Sequence, residues 1–94
     1  MTLPTVEPEI EDVTGSAGAG GWVVTVFNNE YNTWDEVVAI LIRATGCSAD
    51  EAHMETWEID NLGKSVVHHG GRDECDRAAQ VISTIGIRVT VTKE

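Results

Sequence analysis

The chain has 94 residues, 41% of them hydrophobic, and 6 basic against 16 acidic side chains give it a formal net charge of −10. A chain of this length forms one small domain with little room for an internal cavity, so we expect a surface site and no cofactor. Its negative field repels nucleic acid and anionic lipid and favours cationic ligands, which disfavours nucleic acid and membrane as partners. The sequence shows no secretory signal pattern, no membrane-length apolar run and no paired-cysteine motif, so we expect a cytoplasmic protein with reduced thiols at Cys47 and Cys75.

Residues 1–21 combine both prolines, a run of carboxylates and a glycine-rich stretch. Such a composition buries too little apolar surface to order a chain, so we predict a disordered acidic tail and linker. The remaining residues, 22–94, form the predicted core domain. The glycines precede a strand, whereas a phosphate-binding loop follows a strand and opens a helix, so phosphate binding is disfavoured.

The first two core elements have clear boundaries. Trp22–Phe27 is rich in β-branched and aromatic residues, which predicts a strand. Thr33 is a hydroxyl N-cap for a first helix that we place over about Trp34–Thr45, and Gly46 ends it in the left-handed conformation.

The second half of the chain carries signals of the same kinds. A capping box at Ser48 starts a second helix that ends near Asn61. Lys64–His69 is the second predicted strand, a third helix with an apolar stripe ends before Gly86, and alternation over Ile87–Val91 predicts the last strand. The order β-α-α-β-α-β predicts an α+β two-layer sandwich, with a three-stranded sheet and helices on one face.

The loop after the first strand carries a family resemblance. Asn28–Tyr31, with the sequence NNEY before a helix that starts near Trp34, resembles the opening of the ClpS family, the adaptors of bacterial Clp proteases. The step Gly63–Val66 and the Gly86 turn into the last strand add to this resemblance, which covers about Val23–Val91. It implies a non-catalytic adaptor that binds proteins bearing a bulky hydrophobic N-terminal residue, an N-degron, and delivers them to a Clp AAA+ unfoldase.

The resemblance also implies how the amino terminus is held. A protonated α-amino group needs acceptors for three N–H donors, and anionic acceptors suit it best. The family uses an Asn and an Asp in the loop and a His near the end of the second helix; these positions are Asn28, Asn29 and Asp60 here, with Glu30 as a more distant anion. One carboxylate is lost and one is gained, so we expect amine binding with the charge moved to Asp60. The alternatives are that Asn28 and Asn29 only shape the loop and that Asp60 is a solvated residue at the end of a helix.

The family's hydrophobic pocket maps onto four positions. Val37 on the first helix and Thr56 and Ile59 on the second match its wall, although Val37 and Ile59 also fit a plain core role. Trp34 stands where the family commonly has a Met that gates the pocket. An indole is larger and stiffer than a thioether, so we expect a narrowed slot that favours Leu over Trp.

The third helix resembles the face that docks on the N-terminal domain of the Clp unfoldase. Arg72 and Asp73 fall in the matching run, the family's Lys position is Ala78, and Arg77 offers a charge one residue earlier. A solvated charged face is the alternative. We expect a monomer.

Other functions have weaker support in the sequence. His53, His68 and His69 lack zinc-ligand spacing with either cysteine, and acidic neighbours oppose thiolate formation at Cys75. The alternative function is a ClpS-like interaction or regulatory module that docks on the unfoldase but has lost N-degron recognition. It predicts that acetylating a peptide's amino terminus leaves binding unchanged.

Overall fold

The structure is a computed structural model that describes residues 9–11 and 21–94. The elements of these residues are β1 (Glu9–Glu11), β2 (Trp22–Phe27), α1 (Trp34–Thr45), α2 (Ala49–Leu62), β3 (Lys64–Gly70), α3 (Arg72–Ser83) and β4 (Val89–Lys93). The four strands form one sheet in the order β1-β4-β2-β3, in which β2 pairs antiparallel with β3 and β4. The predicted α+β fold with its β-α-α-β-α-β order is confirmed.

The sheet has one strand more than the sequence predicted. Glu9–Glu11 lies within the predicted tail, and it pairs parallel with β4, where Glu9 is opposite Thr90 and Glu11 is opposite Thr92. Three residues are too few to show a period, and pairing with the far end of the chain has no local signature. The rest of the predicted tail, residues 1–8 and 12–20, lies outside the described residues.

The last strand also begins later than predicted. Ile87 is 1% exposed, as its place in the alternation requires, but β4 starts at Val89. Before it, the Phe27 amide donates to the Arg88 carbonyl at 3.0 Å. Burial of an apolar side chain therefore extends beyond the strand itself.

The core lies between the sheet and the helices. Val24 and Val26 of β2 are fully buried, as are Leu41 of α1 and Ile82 of α3. Alternate residues of the strand and residues on one side of each helix thus face the same apolar layer. On α2 the buried residues are Ala52, Thr56 and Ile59, which form one stripe along the helix.

Caps fix the helix ends that frame the site. The Thr33 hydroxyl accepts from the Glu36 amide at 3.2 Å and the Glu36 carboxylate accepts from the Thr33 amide at 2.8 Å, so α1 has a full capping box. Of the box predicted at Ser48, the structure shows the hydroxyl accepting from the Glu51 amide at 3.1 Å. Gly63 ends α2 with a φ of 90°, which glycine adopts without steric cost.

Both cysteines are free; Cys47 is half-buried and Cys75 is buried. Burial raises the pKa of the Cys75 thiol, and Glu74 and Asp76 raise it further. The residues described include no group of His, Cys, Asp and Glu side chains that could hold a metal ion. In the same part of the chain, no helix has the length and apolarity needed to cross a membrane.

Candidate functional site

A cavity of about 180 Å³ opens between the loop after β2, the start of α1 and the last turns of α2. The structure brings together at this cavity six of the eight side chains that the sequence predicted for amine and side-chain binding, together with two more. The lining residues are Asn28, Asn32, Thr33, Trp34, Val37, Thr56, Ile59 and Asp60.

The floor of the cavity is apolar and its rim is polar. Val37, Thr56 and Ile59 are buried, whereas Asn28 and Asp60 are exposed. The Thr56 hydroxyl donates to the Ala52 carbonyl at 2.7 Å, so its donor is already used inside α2. The floor therefore selects for an apolar group, and the rim offers oxygen acceptors.

Backbone hydrogen bonds hold Asn28 beside the end of α2. The Asn28 amide donates to the Gly63 carbonyl at 2.9 Å, and this contact joins the start of the loop to the cap of the helix that carries Asp60. Within residues 9–11 and 21–94, no hydrogen bond or ion pair engages the side chain of Asn28 or of Asp60. Both side chains thus keep their oxygens available to a ligand.

The side chain of Asn29 is used inside the loop. Its Oδ1 accepts from the backbone amides of Tyr31 at 3.2 Å and Asn32 at 3.0 Å, and its Nδ2 donates to Asn32 Oδ1 at 2.7 Å. The Asn29 Nδ2 also lies 3.5 Å from the Gly86 carbonyl, and Asn32 Nδ2 donates to the Ile85 carbonyl at 2.8 Å. The two amides tie the loop to the turn between α3 and β4.

The residues at the rim of the cavity differ in part from those predicted. Asn29 and Glu30 are not among the residues that line the cavity, whereas Asn32 and Thr33 are. The N-cap role of Thr33 could have identified it as a lining residue, because an N-cap beside a recognition loop also borders the space at the start of the helix. Asn32 had only the general preference of asparagine for turns, which does not say which way its amide points.

Trp34 forms a wall between the cavity and a second depression. Its Nε1 donates to His53 Nδ1 at 2.9 Å, and the two rings stack with centroids 6.0 Å apart, which fixes the indole across α1 and α2. On its other side, Trp34 lines an apolar groove of about 450 Å³ with His53, Met54, Trp57 and Glu58.

The residues predicted for docking lie on α3. Arg72, Asp73 and Arg77 are exposed, and none of them lines the cavity. The Arg72 guanidinium lies 5.0 Å from the centroid of the Trp22 ring, a cation–π contact that joins the start of α3 to β2. The structure therefore presents this charged face apart from the cavity.

A small α+β domain with an open cavity, whose floor is apolar and whose polar rim carries one carboxylate, belongs to the class of binding modules. The family model described as "ATP-dependent Clp protease adaptor protein ClpS" matches residues 19–90. The chain belongs to this family of Clp protease adaptors, as the resemblance at its loop and turns indicated.

The chain is similar to one adaptor of this family and to segments of two much longer proteins. The ATP-dependent Clp protease adapter protein ClpS of Streptomyces coelicolor is 27% identical over 73 residues, which is 78% of this chain and 76% of that protein. The E3 ubiquitin-protein ligase UBR1 of Homo sapiens is 34% identical over 59 residues, or 63% of this chain, and UBR2 of Mus musculus is 29% identical over 72 residues, or 77%. The chain spans only 3% and 4% of the length of these two ligases.

A solved structure shows the same fold. Agrobacterium tumefaciens ClpS2 bound to L-phenylalaninamide matches with a TM-score of 0.74 and 20% identity, over 80% of this chain and 98% of that chain. The element order derived from the sequence is therefore that of a known ClpS structure.

Proposed function

We propose that this protein is an adaptor that binds proteins bearing a bulky hydrophobic N-terminal residue and delivers them to a Clp AAA+ unfoldase. The observation that carries the proposal is a cavity with an apolar floor, bordered by Asn28 and Asp60, whose oxygens are available. In a polypeptide, an ammonium group one carbon away from an apolar side chain occurs only at the amino terminus. The site matches that combination without any catalytic step.

The charges around the cavity favour an ammonium group. A hydrogen bond from the amine to the Asp60 carboxylate contributes roughly 1.5 to 3 kcal/mol. The last turn of α2 contains no basic residue. No side chain of that turn therefore offsets its negative dipole end, and a cation there gains about 0.3 to 1 kcal/mol more. Asn28 Oδ1 is a second acceptor, and Glu30 adds attraction at longer range.

The size of the cavity favours a side chain like that of Leu or Phe. A cavity of about 150 Å³ lined by apolar side chains holds a benzene molecule. At about 180 Å³, the cavity has room for a branched aliphatic side chain or a single six-membered ring, but an indole requires Trp34 to move. The ligand in the related ClpS2 structure, L-phenylalaninamide, has a side chain of this size next to a free amine.

Delivery requires a second surface, which we assign to α3. Arg72, Asp73 and Arg77 would contact the N-terminal domain of the unfoldase while the cavity holds the substrate. We propose that the protein works as a monomer in the bacterial cytoplasm, with residues 1–21 as a tail on the core domain of residues 22–94.

One observation favours the alternative, a ClpS-like module that docks on the unfoldase without recognising N-degrons. Asn29 stands at the family's Asp position, and its amide is engaged within the loop. In that case Asp60 would be a solvated residue at a helix end.

Fluorescence anisotropy tests the proposal with labelled peptides that begin with Leu, Phe, Trp or Ala, each with a free and an acetylated amino terminus. We expect the free Leu and Phe peptides to bind at least about tenfold tighter than their acetylated forms. Binding that ignores acetylation would refute N-degron recognition and leave the alternative. Tighter binding of Trp than of Leu would contradict only the size argument.

A further inference from the structure

The groove beside the cavity is formed by side chains that the fold leaves exposed. Met54 is 68% and Trp57 is 52% exposed on α2, on the side away from the buried stripe of that helix. With Trp34 and His53 they line an open, apolar groove of about 450 Å³. Large apolar side chains grouped in an open depression mark a binding surface rather than part of the core.

The groove adjoins the cavity. Trp34 lines both, and its hydrogen bond to His53 Nδ1 holds the indole as their common wall. Because Trp34 borders both, an extended chain that leaves the cavity, at about 3.3 Å per residue, passes the groove within its next few residues. Since alternate side chains of an extended chain point the same way, the third residue of a chain anchored in the cavity faces the groove.

We propose that this groove is a second subsite, which takes an apolar or aromatic side chain from the third residue of the bound polypeptide. The proposal rests on the proposed function, because it needs the first residue to occupy the cavity. The indole of Trp57 offers an aromatic face, and the flexible thioether of Met54 adapts to side chains of different shape.

The charge at the groove sets a second preference. Glu58 lines it, and its Oε1 accepts from the Ser65 hydroxyl at 2.7 Å, which holds the carboxylate in place. An acidic side chain at the third position meets this carboxylate and is repelled. The groove therefore selects aromatic over acidic residues behind the N-terminal one.

Anisotropy with four free-amine peptides of otherwise identical sequence tests the subsite; they begin Leu-Ala-Ala, Leu-Ala-Phe, Leu-Phe-Ala and Leu-Ala-Asp. We expect Leu-Ala-Phe to bind about three- to tenfold tighter than Leu-Ala-Ala, because a phenyl ring is partly buried, and Leu-Ala-Asp to bind more weakly. The ratio of the first two affinities should fall to about one in Trp57→Ala. The matched control is Leu62→Ala, which removes a side chain 66% exposed on the same helix and outside the groove, and should keep the ratio.

The outcomes separate the two proposals. If free Leu-Ala-Ala does not bind the wild-type protein, the proposed function fails. If it binds but Phe at the third position gives no gain, gives a gain only at the second position, or gives a gain that survives Trp57→Ala, the subsite alone is overturned. Thermal unfolding of Trp57→Ala and Leu62→Ala checks that both variants are folded.

Discussion

At the residue scale, Glu55 shows how the fold acts on a single ionisable group. It lies on α2 and lines a cavity of about 370 Å³ with Glu51, His68 and His69 among its neighbours. Its Oε1 is buried and has no hydrogen-bond partner among the described residues. Burial raises the pKa of Glu55 from 4.5 to about 7, and repulsion from Glu51 and Glu58 adds to the shift. The fold therefore favours the protonated carboxyl.

We predict that this group destabilises the protein as the pH rises. Between about pH 4.5 and about pH 7 the folded state binds more protons at Glu55 than the unfolded chain does, so the free energy of unfolding falls across this window. Glu55→Gln removes the loss. Because the site is partly exposed and screened by solvent, we expect a gain of only about 1 kcal/mol at pH 8.

Thermal unfolding at pH 4 and pH 8 measures this effect. The midpoint of Glu55→Gln should exceed that of the wild type by about 4 to 8 °C at pH 8, with a smaller difference at pH 4. Glu30→Gln, a change at an exposed loop carboxylate, is the control and should show no such difference. An equal effect of Glu55→Gln at both pH values would show that folding does not shift the pKa of Glu55.

Single residues also show what the sequence can and cannot predict about the site. Val37, Thr56 and Ile59 follow the helical period, so their place on a buried stripe was predictable. The orientation of the Asn32 amide was not, because it donates to the Ile85 carbonyl, 53 residues further along the chain. Local sequence carries no record of such a pairing.

At the element scale, predictability follows the signals that each element carries within itself. Thr33, Ser48 and Gly63 mark helix ends by hydrogen bonds or backbone conformations inside a few residues, so the bounds of α1 and α2 were close to the predicted ones. Strand β1 has no such signal. Glu9–Glu11 is a strand only through its partner β4 at the other end of the chain.

The third helix is the element whose proposed role is docking. Charge reversal by Arg77→Glu should weaken binding to the isolated N-terminal domain of the unfoldase by about tenfold, since it replaces a positive charge proposed to lie in the interface with a negative one. Affinity for the Leu peptide should stay the same because Arg77 does not line the cavity. Titration calorimetry against the domain measures the first quantity and anisotropy the second.

A matched change on the same helix sharpens this test. Gln80→Glu also adds a negative charge on an exposed side of α3, outside the run that resembles the family's docking face. It should leave binding to the domain nearly unchanged. Equal affinities of Arg77→Glu and the wild type for the domain would show that this part of α3 is a solvated charged face.

At the scale of the whole molecule, the sheet separates the N-terminal segment from the site. In the order β1-β4-β2-β3, strand β1 lies at one edge, whereas the cavity is built on the loop after β2 and on α2. Deleting residues 1–15 should therefore leave affinity for the Leu peptide unchanged. If the tail is engaged by the unfoldase during transfer, the same deletion should slow the degradation of a model substrate.

A second variant distinguishes the tail from the strand within it. Deleting residues 1–8 alone shortens the tail and keeps β1, so it should still slow degradation if the unfoldase engages the tail, and should have no effect if only the loss of β1 matters. Degradation at the wild-type rate by the variant that lacks residues 1–15 would refute any role of the tail in delivery.

In the proposed complex, Asp60 holds the amine of the bound polypeptide. A thermodynamic cycle isolates this contact by measuring free and acetylated Leu peptides against the wild type and Asp60→Asn, with Asp50→Asn at the other end of α2 as the control. We predict that Asp60→Asn weakens binding of the free peptide by about 10- to 100-fold and that of the acetylated peptide hardly at all, because only the free peptide carries the charge. An equal loss for both peptides, or none for either, would contradict the claim.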